Sequence, residues 1–516
     1  MIAPSRRYAL VTDGTWRSSV AHLLWEQGVA SSNLAVPTTC ALPTYGRYLR
    51  EFAAKGMRFV RVGHSAPGLG GFKGGTTRMN LLSRRSVAVA AGVLLCAGLA
   101  FATPARAATV RWVDDDSRHG AGSCDGGAAG SAYSTIQDAV AAADPGDTVK
   151  VCPGHYFGPV SVNKTLTING PKVGVNGATR TFGGASEAVV SSVGTAEDAF
   201  ILLADNIKLD GFTIQNSRVG VWTNSGNSGY VVRNNIIRTN VEGLFLNSSG
   251  TNPTTVTRNK IVANNNGIND PNPASSPGYG IYSDAGLNNV LISANTFSTN
   301  FLGGALIQNC TGGINNGITF KSNRFTDNYS DITIYQNNTN VTIQSNKTFD
   351  SRPDNDLQWG SAFYIGAGAT NVLIGGAGAG NTLNKAPYSG IAVRDDPQCA
   401  VSGLLPAGGV TIANNIVNDS GNNGIDVTTA DPSRVAVSNN TLNRNGVVRN
   451  DLGFAGGDGI FFGAATNGNT ISGNNVSGSG RFECEDQSTG AGTAGTANTW
   501  TGNNGVGPSS PPAICP

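Results

Sequence analysis

The chain has 516 residues, with 35 Lys+Arg against 33 Asp+Glu, 70 glycines and 7% aromatics. The near-neutral total hides a split: residues 1–107 hold 13 basic and 3 acidic residues, which leaves 22 and 30 for residues 108–516, a net charge of −8. A mildly acidic body argues against nucleic acid as a partner, because a polyanion needs a basic footprint.

Met79-Asn80-Leu81-Leu82-Ser83-Arg84-Arg85 opens a secretory signal. A charged start, the apolar run 86–102 and Thr103-Pro104-Ala105-Arg106-Ala107 predict cleavage after Ala107. Ser83-Arg84-Arg85-Ser86-Val87-Ala88 also resembles a twin-arginine export signal. The run is short and alanine-rich for a transmembrane anchor, so export to a secreted or periplasmic location is expected. Residues 1–78 stand upstream of that signal and show neither strand repeat nor helix pattern; they read as a start codon placed too early.

The mature part opens on a strand, Thr109-Val110-Arg111-Trp112-Val113. Residues 133–143 form an amphipathic helix, with Ser134 as N-cap and Ile136, Ala139, Val140 and Ala143 on one face. Thr148 to Tyr156 reads as a strand and turn. Residues 108–164 are thus a cap and first coil, which covers the exposed end of whatever follows.

A degenerate repeat, an apolar residue followed three positions later by Asn, then x and another apolar residue, fills residues 165–480. Its asparagines are 235, 259, 295, 323, 346, 381, 415, 440 and 474. The shortest spacings, 23 to 25 residues, set one coil; longer ones are that coil plus a loop, with long loops expected after Gly267, Gly378 and Arg394. Apolar residues alternate, so the segments are short strands with one buried face. A second strand in each coil opens with glycine, at Gly220, Gly243, Gly280, Gly390, Gly424 and Gly459. This pattern predicts an all-β solenoid, a single-stranded parallel β-helix of about ten or more coils, with the asparagines stacked in an amide ladder.

Six cysteines follow the signal, at 124, 152, 310, 399, 484 and 515. In an exported chain they favour disulfides over zinc. Cys124–Cys152 would staple the entrance, and Cys484–Cys515 the tail 481–516. Cys310 and Cys399 pair only if their loops converge.

If the Ile of each Gly-Ile-x-Val points inward, x points outward. Stacked, that row is Trp222, Phe245, Tyr282, Leu306, Thr333, Tyr364, Ala392, Asp426 and Phe461. The row two residues on is Asn224, Asn247, Asp284, Gln308, Tyr335, Gly366, Arg394, Thr428 and Gly463. Trp222, Phe245, Tyr282, Tyr364 and Phe461 are therefore candidate substrate-binding residues, since sugars offer C–H faces to rings and hydroxyls to amides. The candidate catalytic cluster is Arg394, Asp395, Asp396, Asp426, Asp284 and Tyr335. Elimination on a uronate needs a cation, Arg394, and a base, Tyr335 or a carboxylate. Hydrolysis needs two carboxylates, and Asp395 or Asp396 with Asp426 would supply them. The bland alternative is that Asp395-Asp396-Pro397 merely forms a turn. Calcium ligands stand at Asp354-x-Asp356 and Asp114-Asp115-Asp116, without an ordered loop signature.

Tyr133-Ser134-Thr135-Ile136-Gln137-Asp138-Ala139, with Gly146-Asp147-Thr148-Val149-Lys150-Val151-Cys152-Pro153-Gly154, resembles the entrance of secreted bacterial right-handed parallel β-helix proteins of the pectin-lyase-like superfamily. The tail from Cys484 through Trp500 to Cys515 is similar to their C-terminal closure. The resemblance implies a right-handed helix and, since the fold hosts many activities, little about function. It leaves two main readings, each with polysaccharide or a cell-surface glycan as partner and a monomer as the expected state: a lyase or hydrolase, or a noncatalytic glycan-binding or structural protein. The polygalacturonase, pectate lyase and mannuronan epimerase signatures are absent. A role like that of this fold's copper-site maturation helper would need clustered Met, His and Cys, which the repeats lack.

Overall fold

The computed structural model describes residues 107–516 apart from 121–122, 125–126, 193–196, 265–277, 350–359, 397–405, 430–433 and 448–455. The upstream extension, the signal peptide up to Arg106, Asp354, Asp356, Cys399 and the loop after Gly267 lie outside the described residues.

Each turn of the chain lays one short strand on each of three sheets. Val231–Arg233 joins the first sheet, Ile236–Arg238 the second and Glu242–Phe245 the third. The next turn repeats this with Thr254–Thr257, Lys260–Val262 and Tyr279–Ser283. The first sheet has 14 strands and the others 13 each. Neighbours within a sheet pair in parallel, and equivalent residues face each other in register, as in Ile214, Ile237, Ile261, Phe297 and Phe325. One continuous apolar core is filled by the central residues of strands such as Val231–Arg233 and Ile236–Arg238 on the first two sheets, and by the residues flanking the centre on the third, such as Phe363 and Ile365 around Tyr364. Phe297 and Phe325 stack there with centroids 4.8 Å apart. The expected parallel β-helix is present.

The corner between the first and second sheets explains the repeat. The residue before a ladder asparagine takes the left-handed conformation on most coils, as at Asn234 (φ 57°), Arg258 (56°), Ala294 (54°) and Ser322 (56°). The asparagine then points inward. Asn259 Nδ2 donates to Asn295 Oδ1 at 3.0 Å and to the Val232 carbonyl at 2.9 Å, while Asn259 Oδ1 accepts from the Asn235 backbone N–H at 2.9 Å. The same link runs unbroken from Asn235 to Asn474 and ends on Asn503. It satisfies buried backbone groups that no strand partner reaches.

A second ladder at the next corner runs through Asn240, Asn264, Asn300 and Asn328. Its signal in the sequence is a second asparagine five residues after the first, a spacing that the single-asparagine repeat does not capture.

The glycines opening the third-sheet strands serve close packing rather than a left-handed corner. A Cβ on Gly243 would sit 2.3 Å from the Gly280 carbonyl oxygen, and one on Gly424 would sit 2.6 Å from that of Gly459. Stacked glycines let adjacent coils touch backbone to backbone.

The cap helix spans Ile136–Ala142 and buries Ile136, Ala139 and Val140. Its N-cap is Thr135 rather than Ser134: Thr135 Oγ1 accepts from the Asp138 N–H at 3.1 Å and donates to Asp138 Oδ2 at 2.7 Å. The Thr-x-x-Asp spacing closes a reciprocal cap that Ser134 is one residue too early to form. The strand Thr148–Val151 is followed by a separate one, Gly154–Gly158, so His155 lies exposed on a strand rather than in a turn. After Gly378 the next strand, Thr382–Asn384, begins at once, so no long loop stands there.

Cys124–Cys152 and Cys484–Cys515 are disulfides with Cα–Cα distances of 5.5 and 6.0 Å. Cys310 is also disulfide-bonded. At the C-terminal end, Trp500 closes the core under Phe462 and donates from Nε1 to Asp486 Oδ2 at 2.7 Å.

Candidate functional site

The outward row on the third sheet falls into the expected register, Trp222 to Phe245 to Tyr282 to Leu306 to Thr333 to Tyr364 to Ala392 to Asp426 to Phe461. It continues to Glu485. Its rings do not form the expected open platform. Trp222, Phe245 and Tyr282 stack on one another at 6.3 and 5.4 Å and within 18° of parallel. Their faces are spent on each other, and Phe245 is 3% exposed. Coils repeat every ~4.8 Å, so an aromatic on successive coils packs against itself before it meets a ligand.

The candidate catalytic residues do not form one cluster. Arg394 and Asp426 meet: Arg394 Nη2 donates to Asp426 Oδ2 at 2.6 Å and to the Tyr388 hydroxyl at 3.2 Å. Ser389 Oγ and Asn423 Nδ2 also donate to Asp426 Oδ2, at 3.3 and 3.2 Å. Asp426 is 1% exposed. Burial works against the charge on Arg394, but the Asp426 carboxylate and Tyr388 hold its pKa above the usual arginine value.

Tyr335, Tyr364 and Asp396 form a second group. The two rings lie 5.3 Å apart, and the Tyr364 hydroxyl donates to Asp396 Oδ2. Burial, then Tyr335 and Asp396, push the Tyr364 hydroxyl well above its ordinary pKa, which makes it a poor base. Asp395 is held by distant partners: its Oδ1 accepts from the Thr429 hydroxyl and the Ala407 N–H. Asp284 lies apart from both groups, just past the strand Tyr279–Ser283 and two coils below Tyr335.

A pocket of about 340 Å³ opens beside the first group, lined among others by Tyr388, Arg394, Asp426, Phe461, Arg481 and Gln487. Two buried atoms of its lining residues, Arg394 Nε and Asp426 Oδ1, have no hydrogen-bond partner and are closed off from solvent. Arg481 was missed by sequence reasoning, because it sits in the tail outside the repeat. Its guanidinium pairs with Asp458 at 2.6 Å and with Glu485. Burial, then Asp458, raises the pKa of Glu485. Two guanidiniums thus face three carboxyls.

The calcium candidates gain little. Asp114 is buried, and its pKa is raised by burial first and Asp116 second. Asp115 accepts from the His155 N–H at 3.3 Å. Among the described residues no group of three or more His, Cys, Asp or Glu could hold a metal ion.

A family profile described as periplasmic copper-binding protein (NosD) matches residues 162–365, less than half of the chain. No curated protein matches. Solved structures similar to it include the catalytic unit of a GH87 α-1,3-glucanase from Streptomyces thermodiastaticus, at 16% identity and TM-score 0.38, covering 72% of this chain. The chain spans 64% of that glucanase. An Azotobacter vinelandii mannuronan C-5 epimerase A-module is 14% identical, with TM-score 0.41, covering 72% of this chain and 91% of its own. Pectate lyase Pel9A is 14% identical, with TM-score 0.35, covering 66% and 78%. Three all-parallel sheets, one strand of each per coil, decide the fold. The chain is a parallel β-helix protein.

The family profile is described by copper binding, and the donors that copper favours are scarce among the described residues. The three methionines stand at 1, 57 and 79, and residues 107–516 hold two histidines, 119 and 155. Cys124, Cys152, Cys310, Cys484 and Cys515 are all in disulfides. His119 stacks on Trp112 at 5.1 Å. The described residues do not fit copper, which favours clustered thiolate, thioether or imidazole donors. The disulfides fit an oxidising compartment outside the cytosol. Among the described residues no helix is long and apolar enough to cross a membrane.

Proposed function

We propose that this is an exported β-helix protein that binds a neutral polysaccharide in the pocket between Arg394, Asp426, Arg481 and Phe461. One observation carries this reading: the pocket brings together the partly exposed guanidiniums of Arg394 and Arg481 and the half-buried ring of Phe461. A sugar hydroxyl can accept from an exposed guanidinium N–H while its C–H face meets the ring. Charge balance favours a neutral sugar over a uronate. Arg394 is already neutralised by Asp426, so it is poorly placed to stabilise the enolate of an elimination.

A second reading, glycoside hydrolysis, draws on Glu485. Its raised pKa suits a general acid, and Asp426 lies two coils below it in the same outward row, roughly 9.6 Å by strand spacing. Both carboxyls are spent on guanidiniums, so binding without turnover is the stronger reading.

Affinity electrophoresis of the purified full chain through gels containing neutral glucans tests both. Retardation that weakens about fivefold in Phe461→Ala supports the pocket, and equal retardation of both proteins overturns it. Release of reducing ends that stops in Glu485→Gln would replace binding by hydrolysis.

A further inference from the structure

The strands of the second and third sheets carry charges of opposite sign, with the acids of the third buried. The 13 strands of the third sheet contain Glu242, Asp331, Asp426, Glu485 and Asp486 and no Lys or Arg. The 13 strands of the second sheet contain Arg238, Lys260, Arg324 and Lys347 and no Asp or Glu.

At its N-terminal end this basic row is covered. Phe182, from the segment before the strand Ala188–Ser192, lies under the Arg238 guanidinium at 4.3 Å and the Lys260 ammonium at 4.6 Å. Higher up it is open. Arg324 and Lys347 are register neighbours on adjacent coils, both exposed, and Lys321 is exposed across the corner from Arg324. Among the described residues none of the three forms an ion pair, although Arg111, Arg180, Arg218, Arg233, Arg394, Arg444 and Arg481 all do. The Arg324 guanidinium sits over the Phe349 ring at 4.0 Å, which fixes its position. Thr296, Ser298, Thr326 and Thr382 place hydroxyls in the same outward rows.

We infer that Lys321, Arg324 and Lys347 form a second binding face, for an acidic polysaccharide bearing carboxylate or sulfate groups. Charge complementarity selects an anion, and the flat face of cations spaced by hydroxyls suits a sparsely charged sugar chain. Double-stranded DNA carries about one charge per 1.7 Å, a denser array than three cations can neutralise. The inference does not depend on the third-sheet pocket. It implies a protein that holds an acidic and a neutral polysaccharide on different faces.

The test is affinity electrophoresis of the full chain in gels with polygalacturonate, with dextran, or with neither, plus a gel shift with a short DNA duplex. The Lys321→Gln/Arg324→Gln/Lys347→Gln protein is run beside Phe461→Ala. The expected result is retardation by polygalacturonate that fades with salt and falls about tenfold or more in the triple variant, but is kept in Phe461→Ala. Circular dichroism of the triple variant establishes that it is folded. No retardation by polygalacturonate, equal retardation of the triple variant, or comparable DNA binding would overturn the inference. Failure of the pocket reading looks different, because it appears only with neutral glycans and only in Phe461→Ala.

Discussion

The second and third sheets are built from the same coils, yet they use charge in opposite ways. On the third sheet every acid but Glu242 is tied to a side chain brought in from a loop or the tail: Asp331 to Asn328, Asp426 to Arg394, Glu485 to Arg481, Asp486 to Trp500. On the second sheet the upper cations are exposed and, among the described residues, make no ion pair. Charges on the third sheet therefore hold structure, and those on the second are free to meet a ligand. Breaking the first should cost stability; removing the second should cost binding alone.

The largest effect is expected at Arg394. Arg394→Ala leaves the 1%-exposed Asp426 with only Ser389 and Asn423 as donors. An uncompensated buried carboxylate costs about 3 kcal/mol. Urea unfolding should show the midpoint fall, and Arg394→Met with Asp426→Leu together should recover most of the loss. If the double variant is as unstable as the single, the pair holds the fold by more than charge.

A smaller, pH-dependent effect is expected from Glu242. It is 3% exposed and has no cation; it accepts from the Gly278 and Tyr279 N–H groups at 3.0 Å each. Burial raises its pKa well above the ordinary 4.5. The folded protein therefore binds a proton that the unfolded chain has already lost. The stability this brings is fully present below pH 4.5 and is lost as the pH rises through the folded value. Thermal unfolding followed by circular dichroism should give a higher Tm at pH 5 than at pH 7, and Glu242→Gln should flatten that difference. A difference unchanged in the variant would assign it to another group.

The repeat made the fold legible because a 23- to 25-residue period fixes which residues stack. The Asn235–Asn474 ladder and the row from Trp222 to Phe461 both follow from that period alone. The sign of each face did not, although every strand was in the sequence. It appears only when strands 23 to 36 residues apart are sorted into sheets, and the spacing of like positions varies with each loop. The failure of the aromatic platform has the same root. Alternation says that Trp222, Phe245 and Tyr282 point outward, but register makes them neighbours, and rings at coil spacing stack. Arg481 was illegible for another reason: it comes from the tail, where no repeat predicts what it meets.

The smallest expected effect sharpens the comparison most. Lys321→Gln/Arg324→Gln/Lys347→Gln should change stability by no more than about 0.5 kcal/mol, because exposed unpaired charges contribute little to folding. The triple variant gives up the packing of the Arg324 guanidinium on Phe349, worth about 0.5–1 kcal/mol at an exposed site, and relief of repulsion among three cations offsets part of it. Urea midpoints of the triple variant and the native chain should thus nearly coincide, while Arg394→Ala falls far below both. A large drop in the triple variant would mean that these cations have structural partners after all, and the division of labour between the two faces would fail.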